Sequence, residues 1–530
     1  MYVAKYTRKT EKKTYASYFI NEAYRDENGK PRQRRLLNIS HLPIEKIEAI
    51  KVALKGGSIF DWDNLPGLTA RSFGLGYAVV ETLKKMGFPE VLGAEGKKLF
   101  PIIVAMIANR IDSPCSKYAL KHWIDGTYLS ELLGKEGDAW YHQNRCYEAL
   151  DWVAENQIRI ENELYFRRDK SQLTFLYDLT STYFEGSKAE LGEFGYSRDH
   201  RKDLKQVCIG LLGDMDGIPC AVEAFSGNTS DCMTVKAQVK KMKERFGCEK
   251  AVFVGDRGMM TTVNRDMLLD VGFDFILALK NREVIKLVEK HGPVVMGLFD
   301  KRGIADIDVD DRRLVVCRNP IAGEDTKRRR EQLLELTTER MDAVVKRVEN
   351  GRLKKAAAIQ RSVDRWINRW AMEKFFVIDI ADGKFEWSYN TEELEMAKQL
   401  DGVYVLETTL DTCEISPEKV QHVYKNLQQI ERAFRCLKTE LLLRPVRHWK
   451  ENRIRGHIYI CLLAYHVEQL WRNALQNKAD TADMTWQEVL SILSNWQRVS
   501  IKDISRLIPK DANFTTKTAK VMQSLEIALP

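Results

Sequence analysis

Asp178, Asp256 and Glu431 are the residues whose types and settings best suit phosphoryl chemistry. Asp178 stands at the C-terminal end of the apolar stretch Leu173 to Leu179, and Asp256 closes the run AVFVGD. A hydrophobic strand that ends in Asp at the start of a loop holds a carboxylate rigidly at a sheet edge, within reach of a divalent metal. Such an Asp also commonly serves as a turn or cap residue, so either position alone fits both roles. Oxygen-only ligands suit Mg2+, for which Mn2+ can substitute. Two ions about 3.5 to 4 Å apart, each sharing an Asp, could activate a water or a DNA 3'-hydroxyl and stabilise the leaving oxygen.

Glu431 is placed by a helix. Val423, Leu427, Ile430, Phe434, Leu437 and Leu441 recur at spacings of four and three, which defines a buried face. Tyr424, Glu431 and Lys438 repeat every seven residues beside it and form one stripe. A solvated Glu paired with Arg435 is one reading of that position. The charge context favours another: residues 419–455 carry ten Lys/Arg and three Asp/Glu, including Lys425, Arg432, Arg435, Lys438, Arg444 and Arg447. A helix facing a phosphate backbone has this bias, and metal binding explains a carboxylate among the cations. His422, His448 and His457 are read as DNA-facing or structural, since phosphate attack requires no histidine nucleophile.

The elements that must position these groups follow from the pattern. From about residue 173, LTFLYDL reads as a strand, QVCIGLL and IPCAVEAFSG as a hairpin, and TVKAQVKKMKERFG as a helix; AVFVGD, TTVNRDMLLDVG and FDFILALK read as strand, helix and strand. This order requires a mixed sheet with crossover helices. YVLETT, residues 404–409, reads as a further strand, and the Glu431 helix is expected to run unbroken from about Pro417 towards Pro445. HIYICLLAYHVEQLW is a second, strongly apolar helix.

Six segments result. Residues 1–60 form a β-hairpin around Asn28-Gly29 and a short helix opened by Pro43, and 61–170 a helical domain. Residues 171–284 and 401–475 are the two parts of an α/β catalytic core. Residues 285–400 form a basic insertion, and 476–530 a helical tail. Arg32, Arg34 and Arg35 make the hairpin either a nucleic-acid-binding ribbon or a solvated edge. Within the insertion, residues 312–370 hold 16 Lys/Arg and 8 Asp/Glu, and the run ending Arg328-Arg329-Arg330 suits backbone contact or synapsis.

The 530 residues suffice for several cores, and 83 Lys/Arg against 75 Asp/Glu give +8, a modest bias towards a polyanionic partner. The ten cysteines include no CxxC pair and no Cys/His group with zinc spacing, consistent with reduced thiols in a cytoplasmic protein. The opening residues are too charged for a signal peptide, and LFPIIVAMIA is too short to span a bilayer. Trp140, Tyr141 and Trp152 are expected in a core.

FLYDLTSTYFE at 175–185, VGDRGM at 254–259 and YKNLQQIERAFRCLK at 424–438 together resemble the three catalytic segments of bacterial insertion-sequence transposases of the DDE type, in the branch with a Tyr-Arg-Glu-Lys signature. The opening hairpin and following helices resemble that family's N-terminal region more loosely. The resemblance implies an RNase H-like mixed-sheet core with a mainly β insertion between the second Asp and the Glu. The 175-residue interval from Asp256 to Glu431 leaves room for it. It implies Asp178, Asp256 and Glu431 as ligands of two Mg2+ ions, with Tyr424 and Lys438 on phosphates near the scissile bond. Leu427 stands where the family's Arg is expected, so Arg435 or Lys425 would have to substitute. The implied activity is cut-and-paste transposition. By that resemblance the chain is expected to bind duplex DNA with terminal inverted repeats, as a homodimer in a synaptic complex, to free 3'-hydroxyl ends and to join them to target DNA.

Two other functions use the same features. A structure-specific nuclease on this core would cleave without joining, and a catalytically idle DNA-binding regulator would need only the basic elements. The three retained carboxylates speak against the idle form.

Overall fold

The structure, a computed structural model, describes residues 1–9, 14–56, 68–135, 140–168, 174–186, 188–256, 259, 261–291, 303–501 and 510–530. Arg257 and Gly258 of the VGDRGM segment, Leu173 and Gly57 lie outside the described residues. The chain divides into two compact units, residues 1–71 with 498–512, and 72–497 with 513–530.

The first unit is built on an antiparallel sheet of β1 (Tyr2–Lys9), β2 (Thr14–Arg25) and β3 (Pro31–Asn38). The expected hairpin is β2-β3. Asp26 closes its turn by accepting the backbone N–H groups of Asn28 and Lys30, and Gly29 takes a φ of +76° that a side chain would resist. Strand β1 was not anticipated. The helix Ile44–Leu54 follows Pro43, and a small second sheet joins β4 (Leu68–Ser72) to β15 (Gln497–Ile501) and β16 (Lys510–Ala512).

The second unit centres on an eight-stranded mixed sheet in the order β10-β11-β14-β9-β8-β5-β6-β7. Its strands are β5 (Thr174–Tyr183), β6 (Gln206–Gly213), β7 (Pro219–Ser226), β8 (Val252–Gly255), β9 (Asp274–Ala278), β10 (Ile304–Val309), β11 (Arg312–Arg318) and β14 (Val403–Thr408). β5, β8 and β9 run parallel, and the other neighbours pair antiparallel. Strand β6 is buried along its whole length, as its apolar run from Val207 to Leu212 requires of a strand covered on both faces. The arrangement is a mixed α/β core consistent with an RNase H-like catalytic fold.

The helix Glu451–Gln476 is buried nearly all round and packs on the helices Phe100–Asp112 and Gln143–Phe166 and on β7. The helices between 74 and 166 therefore share one hydrophobic core with the sheet. Tyr141 is buried, and Trp140 and Trp152 pack partly buried against that core.

The insertion differs from the mainly β expectation. Its strands β10 and β11 extend the central sheet, and β12 (Phe376–Ala381) and β13 (Lys384–Tyr389) form a separate hairpin. Its bulk is helical, with helices at Pro320–Glu349, Ala356–Ile367 and Thr391–Gln399. Met341, Val344 and Val348 of the 30-residue first helix pack on Ile359 and Val363 of the second in a core of their own. Helical spacing of apolar residues prevailed over the family expectation.

Candidate active site

Asp178 lies in the middle of β5 rather than at its end, because the strand continues to Tyr183. It still reaches a cleft. Its parallel neighbour β8 stops at Gly255, which pairs with Tyr177, so the ladder ends beside Asp178 and Asp256 starts the departing loop. Two carboxylates 78 residues apart in sequence are thereby brought side by side, one on β5 and one just past the end of β8.

Glu431 arrives from across the sheet. Ser416 caps the helix Pro417–Lys425, its hydroxyl accepting the Lys419 N–H, and Pro417 fills the first turn. The expected continuous helix is interrupted at Asn426 and resumes at Leu427–Arg435. Ile430, beside Glu431, is buried against β6. A Cβ at Gly213 would lie 2.8 Å from Ile430 Cδ1, so this glycine permits the close approach. All six residues of the expected apolar face are buried.

Asp178, Asp256 and Glu431 line a single cavity of about 780 Å3, together with Asn319, Tyr404, Tyr424, Lys425, Leu427 and Gln428 among others. Tyr424 donates its hydroxyl to Asp256 Oδ1 at 3.3 Å, linking the helix Pro417–Lys425 to the end of β8. Asp178 is half-buried, and burial pushes its carboxyl up to about 7; the charges of Asp256 and Glu431 add to this, while the Leu179 N–H and Arg198 oppose it. The three carboxylates offer the charge and oxygen chemistry that a hard divalent cation takes; among the described residues their oxygens do not all lie within 4.8 Å of one another.

The other expected contacts are distributed differently. Arg432 and Arg435 are exposed on the Glu431 helix. Lys438 leaves the Tyr424–Glu431 stripe because residues 436–440 form a wider π-turn, which changes the angular advance. Its ammonium is buried and donates to Asp199 Oδ1 at 2.9 Å, where Arg444 also donates at 2.7 Å. Leu427, in place of an arginine, is buried and borders the cavity.

In the insertion, Arg328 is exposed in an ion pair with Asp325, and Arg329 lines a neighbouring cavity of about 360 Å3. Arg330 is buried in a two-armed ion pair with Asp401 at 2.6 Å per arm. His457 is buried with Nε2 3.2 Å from the Leu443 carbonyl, and burial holds the imidazole of His448 down to about 3.

Sequence reading missed Asn319, Tyr404, Arg198 and Asp199. Tyr404 is the second residue of β14, which brings it against Tyr424 with ring centroids 6.1 Å apart. Asp199 follows Arg198, which is tied to Asp231, in a loop with no periodicity to mark it. Among the described residues, Cys436, Glu440 and Glu468 form a group whose ligand atoms all lie within 4.8 Å of one another. Arg472 already neutralises both glutamates there, and their charges with burial hold the Cys436 thiol protonated.

Among the described residues, no helix is long and apolar enough to cross a membrane. The chain matches the family model of the IS1634 family transposase N-terminal domain over residues 3–61. No curated protein matches. Among solved structures, a cryo-EM structure of the piggyBac transposase synaptic complex with hairpin DNA is similar at 9% identity and a TM-score of 0.36, covering 80% of this chain and 77% of that one. The family model of the transposase DDE domain matches residues 169–467, more than half of the chain and the whole span from β5 into the buried C-terminal helix. The chain belongs to the transposase DDE-domain family.

Proposed function

We propose that this transposase catalyses metal-dependent cleavage at the ends of an insertion element and transfers the resulting 3'-hydroxyl ends into target DNA. The observation that carries the reading is the shared cavity of Asp178, Asp256 and Glu431. The strand order β7-β6-β5-β8-β9, with β5, β8 and β9 parallel, supports an RNase H-like reading of the core. Mg2+ is the expected metal, with Mn2+ able to substitute.

Asp178, Asp256 and Glu431 would hold the ions. A bound pair supplies Lewis-acid activation of water or a 3'-hydroxyl and charge neutralisation at the phosphate. The chain's own groups do the remaining work. Asp178 must give up its proton to act as a ligand, and the Tyr424 hydroxyl orients Asp256 through its hydrogen bond. Lys425 borders the same cavity and provides a cation for the DNA backbone, the role an arginine at 427 would have filled. Arg432 and Arg435 extend that charge along the exposed helix side. An element has two inverted-repeat ends, so a homodimer holding both in a synaptic complex is the natural active form.

The test is incubation of the full chain with the element's own ends, a target duplex and Mg2+. Excised ends and joined products with a fixed duplication of target sequence are expected. Cleavage without joining would show a nuclease, and binding without cleavage an idle regulator.

A further inference from the structure

We infer that one face of the β1-β2-β3 sheet reads duplex DNA in the major groove, with Arg8, Arg25 and Arg35 on the backbone and Gln33 at the base edges. This rests on the transposase reading and adds to it the element that recognises DNA.

Charge comes first. Residues 1–38 carry ten Lys/Arg and four Asp/Glu, six of the chain's eight net positive charges. This segment thus joins residues 312–370 and 419–455 as one of the chain's cationic stretches, as a polyanion partner requires.

Strand register then sorts the charges. Directly opposed residues share a face. The pairs Tyr6–Ser17, Arg8–Tyr15, Asn21–Arg35, Ala23–Gln33 and Arg25–Pro31 lie on one side, and the alternate pairs lie on the other. The sheet's strand carboxylate, Glu22, falls on the second side and is held by Arg34, while Asp26 in the turn is held by Arg32. The first face therefore has three arginines and no carboxylate. A merely solvated edge would mix its signs.

This face is also ordered. The Arg35 guanidinium lies 4.6 Å from the ring centroids of both Tyr6 and Phe19. That clamp fixes a fork of donors on an exposed strand. Beneath it Asn21, only 1% exposed, donates to the Tyr6 hydroxyl at 3.0 Å, and its Oδ1 has no partner. Gln33 stands exposed next to Arg35 on the same face. Three strands span roughly 10 Å between their outer backbones, against a major groove about 12 Å wide that accepts a β-ribbon. The narrow, deep major groove of duplex RNA would not admit it.

The test uses the full chain with a 30-base-pair duplex from one inverted repeat, a scrambled duplex and the RNA equivalent of the repeat. Arg8→Ala with Arg25→Ala leaves the stacked Arg35 in place and should weaken DNA binding at least tenfold, flattening the log K against log salt slope by about 1.8. Lys5→Ala with Lys9→Ala removes the same charge from the opposite face and should change affinity less than about threefold. Gln33→Ala should keep the salt slope and reduce repeat-over-scrambled preference about tenfold. Circular dichroism establishes that each variant is folded. Equal losses from the two faces, undiminished binding by the Arg8/Arg25 variant, or tighter binding of the RNA duplex would overturn the assignment. Glu431→Gln separates the two readings. If it cleaves normally while the Arg8/Arg25 variant loses DNA, the metal-site reading fails and the sheet stands; the opposite pair of results removes the sheet alone.

Discussion

Lys438 and Asp199 form a buried ion pair 2.9 Å long, with the lysine side chain 10% exposed and the aspartate 5%. The pair joins the π-turn after the Glu431 helix to a loop 239 residues earlier. Lys438 thus serves the fold before it serves DNA. The family resemblance implied a phosphate contact for it, which its burial does not favour.

Lys438→Ala is therefore expected to lower stability by about 3 kcal/mol, the order seen when one partner of a buried pair is removed. Asp199→Ala should cost more, because it leaves both Lys438 and Arg444 uncompensated. Urea unfolding monitored by tryptophan fluorescence measures both. An unchanged midpoint in Lys438→Ala, together with weakened DNA binding, would restore the direct phosphate role.

Asp178 sets a pH dependence whose sign is fixed. Its folded pKa of about 7 stands above the usual carboxylate value near 4. Between those limits the metal-free fold holds a proton that the unfolded chain does not, so this group's stability contribution is lost as pH rises through about 7. Metal binding needs the carboxylate, so Mg2+ should stabilise the protein more at pH 8 than at pH 6. At a hundredfold excess over its dissociation constant the gain is about 2.7 kcal/mol. Thermal melts with and without Mg2+ at both pH values test this. Asp178→Asn should flatten both dependences, and an undiminished Mg2+ response in that variant would contradict the ligand assignment.

The insertion arginines separate into two kinds. Arg328→Ala with Arg329→Ala should weaken DNA binding and flatten its salt slope by about 1.8 if both meet phosphates. Arg330→Ala should instead destabilise the fold by about 3 kcal/mol, because it leaves Asp401 buried without its partner. Salt titrations of affinity, with unfolding curves on the same samples, distinguish them. A loss of DNA affinity confined to Arg330→Ala would reverse this division.

Much of the site is legible in the chain because local patterns encode it. The apolar run before Asp256 makes a strand, and the four-and-three spacing from Val423 to Leu441 makes a buried helix face. The unread parts depend on distant or irregular geometry. Asp178 reaches the cleft because β8 ends beside it, which no property of β5 reveals. The break at Asn426 and the π-turn at residues 436–440 alter a helix whose composition looks continuous, and so redirect Lys438. β10 and β11 join the main sheet through pairing with β14, some ninety residues later. Arg330 reads as surface charge until Asp401 is folded against it.

Glu431→Gln tests the central claim most directly. It keeps the size and helix tendency of an exposed residue while removing the charge needed to hold Mg2+. The folded variant should bind the element's ends at least as tightly as the original chain, since one negative charge near phosphate is gone. Its Mg2+-dependent cleavage and joining, measured on the same preparation, should fall by about a hundredfold to a thousandfold, the scale of a lost transition-state stabiliser. Near-normal cleavage by folded Glu431→Gln protein would contradict the shared metal site of Asp178, Asp256 and Glu431.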